Sequence, residues 1–238
     1  MPAGDFIDKI QKALADLRKG KFVLVFDDDT REAETDFFIA AEHVTPESVR
    51  TMRKKGGGLI FLMASHEIAQ KFDLPFLADL FKDVEKKYPS LKHLVANDIP
   101  YDSKSSFSLY INHRETFTGI TDIDRAKTMK GFADLATSMM EKPSDDAVQT
   151  LGQSFRTPGH VPICVASERP LQNRFGHTEL AVALVTMSGI TPVAAGCEMM
   201  GDDGKALSKT QAKAYAAQHD LVFLEGKEIV KSWITWSE

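Results

Sequence analysis

Phe22-Val23-Leu24-Val25-Phe26-Asp27-Asp28-Asp29-Thr30-Arg31-Glu32-Ala33-Glu34-Thr35-Asp36 is the stretch that decides how this chain is read. Its first five residues form a continuous apolar run rich in strand formers, which predicts a buried strand. Six carboxylates and one arginine then fall within ten residues. Each carboxylate raises the cost of ionising the next unless cations share the site. In an extended segment the alternate spacing of Glu32, Glu34 and Asp36 would aim them at one side. The stretch therefore reads as a holder for a cation, a polar substrate or both, with a solvated acidic turn as the plain alternative. Phe37-Phe38-Ile39-Ala40-Ala41 is apolar again and predicts a second strand, paired with the first as a hairpin with the charged loop at its tip.

The totals bound what such a site could serve. The 238 residues suffice for one large or two small domains, and 43% hydrophobic with 26% charged residues is an ordinary globular composition. A net charge of −5 argues against a nucleic-acid surface. No apolar run approaches the ~20 residues of a membrane helix, and Met1-Pro2-Ala3-Gly4-Asp5 lacks the features of a signal peptide. Cys164 and Cys197 each sit in an apolar run, which predicts buried free thiols in a reducing cytoplasm.

Working outward, Phe6, Ile7, Ile10, Leu14 and Leu17 predict a helix over 5–19, stopped by Gly20. Thr45-Pro46-Glu47 starts a second helix. It ends at Gly56-Gly57-Gly58, which lacks the phosphate-loop pattern and reads as a mobile turn. Strands are expected at 59–64, 105–112, 161–166, 192–198 and 221–224. Helices are expected near 66–73 and 76–87, from Arg125 to about Met140 with Asp122 or Asp124 as cap, from about 177 to 187, from Ser208 to His219, and over 227–236. Residues 141–155 are polar and read as a loop. The alternation is not strict βαβ, so the expected fold is α+β. It is a single domain over 1–238 with one mixed, twisted sheet covered by helices in three layers.

Two segments of the second half could complete the acidic site. Asn173-Arg174-Phe175-Gly176-His177-Thr178-Glu179 opens a helix, whose free N–H groups favour anions, and its arginine and threonine suit a phosphate. Glu198 ends the apolar run 193–197, where burial can raise a carboxylate's pKa and make it an acid or base. His160 follows Pro158-Gly159 at a strand entrance. Carboxylates of 27–36 with the His177 imidazole would make a hard-cation site for Mg²⁺, or for Mn²⁺ given the one histidine. The substrate would be a small phosphorylated polyol or keto-sugar whose hydroxyls chelate the metal.

Arg31-Glu32-Ala33-Glu34-Thr35-Asp36 resembles the RExExD signature of the 3,4-dihydroxy-2-butanone-4-phosphate synthases. Thr118-Gly119-Ile120, Asp124-Arg125-Ala126, Pro158-Gly159-His160-Val161, the 174–179 segment and Cys197-Glu198 through Asp202-Asp203-Gly204 occur in that family's order, over about residues 6–230. The long segment before Thr118 resembles archaeal-type members. The resemblance implies a riboflavin-pathway lyase that converts D-ribulose 5-phosphate to L-3,4-dihydroxy-2-butanone 4-phosphate and formate. It implies two divalent cations per site, usually Mg²⁺, and a homodimer with sites near the interface.

Carried over by residue, the resemblance assigns Glu32 and His177 as metal ligands. Arg31, Glu32, Asp36, Thr118, Arg174, Phe175, Gly176, His177, Thr178 and Glu198 become substrate contacts, with Arg174 and Thr178 toward the phosphate. His160 and Glu198 match essential catalytic positions, and Asp27 and Glu34 match acidic residues lining the site. Phe61 stands where many members carry a cysteine, so a thiol there is not required or its role has moved. The absence of a cysteine-rich zinc pattern implies a chain without the cyclohydrolase often fused to this family. The rival readings are a metal-dependent isomerase or aldolase on another pentose phosphate, and an inactive acidic cation-binding module.

Overall fold

The computed structural model describes residues 3–237, with side chains from Asp8 onward. The expected inward packing of Phe6 and Ile7 lies outside the described residues. In chain order the helices are α1 (Ala3–Arg18), α2 (Pro46–Thr51), α3 (His66–Lys71), α4 (Leu77–Val84), α5 (Ser90–His93), α6 (Asp122–Met139), α7 (Ser144–Ser154), α8 (His177–Met187), α9 (Lys209–Gln218) and α10 (Gly226–Ser237). The strands are β1 (Val23–Phe26), β2 (Thr35–Ala40), β3 (Phe61–Ala64), β4 (Phe107–His113), β5 (Phe155–Val165), β6 (Val193–Glu198) and β7 (Val222–Glu225).

All seven strands join one sheet in the order β4-β5-β3-β6-β2-β1-β7. β1 and β2 form the expected antiparallel hairpin, and β2/β6, β3/β6 and β4/β5 are antiparallel too. β1/β7 and β3/β5 are parallel, so the sheet is mixed. The central strands read as unbroken apolar runs because both faces are covered. Val23, Val25, Phe38, Phe61 and Met63 enter one core with α1, α8 and α10. Their neighbours Leu24, Phe26, Phe37, Ile39 and Leu62 enter a second core with α2, α6 and α9. This strand alternation splits the hydrophobic residues between two layers and gives the expected three-layer α+β fold. α8 is buried on every side, which explains its nearly continuous Ala/Val/Leu composition.

Three local expectations are corrected. Residues 144–154 form α7, not a loop; Ala147 is its one fully buried side chain, and Val148 and Leu151 are its only large apolar residues, with Leu151 packed against the core. The α6 cap is Thr121, whose hydroxyl accepts from the Asp124 amide at 3.1 Å. Asp122 instead binds Arg53, and Asp124 accepts from the Gly119 amide at 2.8 Å. The glycine turn is tied to the sheet. α2 continues into a wide π turn over Met52–Gly56, Gly57 takes φ +92°, and the Gly58 amide donates to the Glu198 carbonyl at 3.1 Å.

Candidate active site

The sheet brings the acidic loop and the second-half motifs to one end. Asp36, near the start of β2, is the direct cross-strand partner of Glu198, the last residue of β6. Two carboxylates opposed in this way raise each other's cost of ionising. The N-terminus of α8 arrives at the same end, carrying His177 against both β2 and the loop.

The loop is not extended before Thr35, so alternate spacing is not what gathers its carboxylates. Asp27 does the gathering. Its fully buried carboxylate accepts from the amides of Glu32 at 3.0 Å and Glu34 at 3.1 Å, and from Arg31 Nη1 at 3.3 Å. Ala33 takes φ +57° in the bend that results. Glu32 is thereby directed at His177, with Oε2 3.0 Å from Nδ1 and 3.0 Å from Arg31 Nη1. Burial alone would raise the Glu32 pKa, but His177 and Arg31 outweigh it and bring it to about 2. Burial likewise works against a charged His177, yet Asp36, Glu32 and Asp27 together raise it to about 9. Burial, Glu32 and Glu198 raise Glu34.

Asp36 is the exception in this network. Both of its carboxylate oxygens are buried without a hydrogen-bond partner, and so is His177 Nε2, 3.6 Å from Asp36 Oδ1. Buried polar atoms are rarely left unmatched without a reason. Burial and the neighbouring carboxylates hold the Asp36 pKa well above its ordinary range.

A cavity of about 100 Å³ opens onto these groups, walled by Arg31, Glu32, Asp36, Arg174, His177 and Glu198. Glu198 is fixed by the Leu59 amide, which donates to Oε2 at 2.7 Å, and burial raises its pKa. Gly58 permits this fold-over: a Cβ there would lie 2.3 Å from Glu198 Oε2. Gly176 plays the matching part for the arginines, since its Cβ would fall 2.6 Å from Arg174 Nη1 and 2.8 Å from Arg31 Nη2. Thr178 is buried with its hydroxyl 3.5 Å from that of Ser106, whereas Phe175 is half exposed.

His160 and Thr118 do not line this cavity. They lie at the β4–β5 edge, joined through Asn112: its Nδ2 is 3.0 Å from His160 Nδ1, its Oδ1 accepts from the His160 amide at 2.9 Å, and its Nδ2 donates to the Thr118 carbonyl at 3.4 Å. Their side chains are exposed.

Several residues at or beside the cavity carried no sequence signal. Asp102 bridges Arg31 and Arg174 but lies in a segment without a readable period. Ser106 is one hydroxyl among four serines of residues 103–108. Cys164 lines the cavity beside Phe61, in the strand next to the family's usual cysteine position. Burial pushes its thiol to about 12, so it stays neutral. Both cysteines are free and buried, as expected.

The donor set fits a hard cation. Asp27, Glu32 and His177 each offer a ligand atom, and these atoms lie within 4.8 Å of one another. The unmatched Asp36 oxygens and His177 Nε2 adjoin them. Oxygen-rich donors with one imidazole suit Mg²⁺ or Mn²⁺.

Fold and site together define an α+β enzyme with a candidate divalent-cation centre at the end of a mixed sheet. The sequence profile of 3,4-dihydroxy-2-butanone 4-phosphate synthase matches residues 11–232, and the chain belongs to this family, whose enzymes make that phosphate from ribulose 5-phosphate in riboflavin biosynthesis. The synthase of Methanothermobacter thermautotrophicus is 45% identical, covering 97% of this chain and 98% of that one. That of Methanosarcina mazei is 46% identical, covering 97% and 93%. The Candida albicans synthase structure superposes with a TM-score of 0.71 at 27% identity, covering 94% of this chain and 96% of that one. A synthase structure described as a complex with two magnesium ions shares the fold at a TM-score of 0.70 and 24% identity, covering 92% and 94%. No described helix is long and apolar enough to cross a membrane.

Proposed function

We propose that this chain performs the synthase reaction at the cavity between Glu32, Asp36, His177 and Glu198. D-Ribulose 5-phosphate gives L-3,4-dihydroxy-2-butanone 4-phosphate and formate, which together contain all of its atoms. The observation that carries the site assignment is the set of buried, unmatched atoms of Asp36 and His177 beside three donors already within ligand range of one another.

Glu32 and His177 hold the metal, and Asp27 keeps the loop folded so that Glu32 reaches it. Mg²⁺, two ions per site, would acidify the C–H next to the substrate carbonyl and stabilise successive oxyanions; Mn²⁺ would substitute. Arg174 and Thr178 take the phosphate, while Arg31, Asp36 and the 175–177 backbone orient the sugar. Burial raises the Glu198 pKa, which suits a carboxylate that takes a proton and returns it. Glu34, also raised by burial, lines the loop side. His160 serves as a second proton carrier.

His160 and Thr118 belong to a homodimer in this reading. Phe117 is 95% exposed, with Ile120 and Ile123 also exposed, so an apolar loop projects beside both residues. A second copy covering it would bring the pair to a site near the interface, and sedimentation should give a dimer mass. Free buried cysteines agree with a cytoplasmic setting.

A formate assay with ribulose 5-phosphate tests the reading. Formate should appear with Mg²⁺, stop with EDTA and return with added Mg²⁺. No formate, or formate release indifferent to EDTA, would overturn it; an isomerase would release none.

A further inference from the structure

The arginines assigned above to the substrate are already taken. Asp102, from the irregular segment before β4, accepts from Arg174 Nε and lies 3.5 Å from Arg31 Nη2. Its carboxylate is about nine-tenths buried, with 9% of its side-chain surface exposed. Tyr101 lies against the Arg31 guanidinium, 5.1 Å from ring centroid to Cζ. Arg174 is held from its other side by Glu179, which is fully buried and accepts from Nη1 at 2.6 Å. So Arg174 carries two carboxylates, and a phosphate approaching it meets an arginine already neutralised.

The spaces on the two sides of the arginines are unequal. The cavity at the candidate metal site is small, about 100 Å³. A second cavity of about 740 Å³ lies on the other side of Arg31 and Arg174, lined also by Asp28, Thr30, Tyr101 and Lys227. Both arginines border both cavities, and Asp102 borders the larger. The Asp102–arginine cluster is therefore the partition between them. Most of the segment behind it, 94–104, is exposed, so the Asp102 ion pairs are a principal tie to the body of the protein.

We propose that Asp102 is a specificity-determining residue: its carboxylate, which also reaches Arg31, holds the place of the substrate phosphate on Arg174, and only a dianionic group displaces it. A phosphate and a carboxylate cannot share one guanidinium edge without strong like-charge repulsion. A phosphate dianion offers more charge and more acceptors than a carboxylate, so it wins the exchange; a monoanion or a hydroxyl does not. Displacement joins the two cavities and makes room for the sugar. The inference rests on the assignment of Arg174 to the phosphate.

The test uses the whole 238-residue chain loaded with Mg²⁺, with inorganic phosphate as a competitive inhibitor of formate release. D102N and D102A should each lower the phosphate inhibition constant by about fivefold or more, since a charge-assisted competitor is gone. In the parent, phosphate should speed amide hydrogen exchange across 94–104; in D102N that exchange should be fast already and insensitive to phosphate. R174Q should raise the inhibition constant at least tenfold. If R174Q raises it while D102N and D102A leave it unchanged or weaken phosphate binding, Asp102 merely positions the arginines and this inference falls alone. If R174Q changes nothing, the phosphate sits elsewhere and both readings fall.

Discussion

Two carboxylates flank β1 at nearly the same height. Asp36 pairs in register with Val25 on one side, and Glu225 pairs with Phe26 on the other. They differ in almost everything else. Glu225 accepts from Lys213 and Lys227 at 2.9 Å and lies 3.1 Å from Lys209. Burial works against its charge, but the three lysines outweigh it and bring its pKa to about 2. Asp36 has no hydrogen-bond partner for either oxygen, and its pKa is held far above the ordinary range. The same chemical group serves stability at one strand end and is left unmatched at the other. An unmatched carboxylate beside other candidate ligands is the kind of group that the proposed function gives to a ligand.

The largest expected effect breaks the Asp36 side of this comparison at the proposed metal ligands. Glu32→Gln and His177→Ala should each abolish formate release. Both variants should keep the native circular dichroism spectrum, with His177→Ala lowering the thermal transition more than Glu32→Gln because His177 is buried against Phe38 and Asp36 of β2 as well as the loop. If both variants retain near-parent turnover, the ligand assignment is wrong.

Asp36→Asn sharpens the contrast more directly. It removes a buried carboxylate whose ionisation is opposed by burial and by the neighbouring carboxylates and whose nearest cationic group, His177 Nε2, lies 3.6 Å away, so the metal-free protein should become more stable at pH 7. Relief of that ionisation cost is worth about 1–2 kcal/mol, or roughly 2–8 °C in a domain of this size. Activity should meanwhile fall, by about 10- to 100-fold as for other groups that support a metal. The stabilisation that Mg²⁺ gives the parent should also shrink. A variant that loses stability along with activity would mean that Asp36 is held by the fold after all.

What could be read from residue order alone follows the same division. The hairpin, the mixed sheet and the buried helix α8 were legible because their apolar runs have a period or an unbroken length that only one environment explains. The partnership of Glu32 with His177 was legible through motif resemblance, not through spacing. The loop bends at Ala33 instead of running extended, and what bends it is the Asp27 carboxylate reaching amides five and seven residues on. Helix α7 escaped notice because it buries one side chain fully. Asp102 escaped because its importance comes from two arginines 71 and 72 residues away, a relation that no local pattern records. The detachment of His160 from the main cavity was equally hidden, because it depends on how far β5 runs past its neighbour.

The smallest effect is expected on the Glu225 side, where the sign can be worked out. Its folded pKa of about 2 lies below the ordinary carboxylate value near 4.3. It therefore contributes stability that is fully present above about pH 4.5 and is lost as pH falls toward 2. The group is partly open to solvent, so the contribution is that of a screened surface network, at most about 1 kcal/mol. Glu225→Gln should lower the thermal transition at pH 7 by no more than about 2–4 °C, and added salt should narrow the gap. Below about pH 2 the variant and parent should melt together, and formate release at pH 7 should be unchanged. The opposite behaviours of Asp36→Asn and Glu225→Gln at pH 7, one raising the metal-free transition and the other lowering it, are what separate a carboxylate kept for a ligand from one kept for the fold. Equal shifts of the same sign would dissolve that distinction.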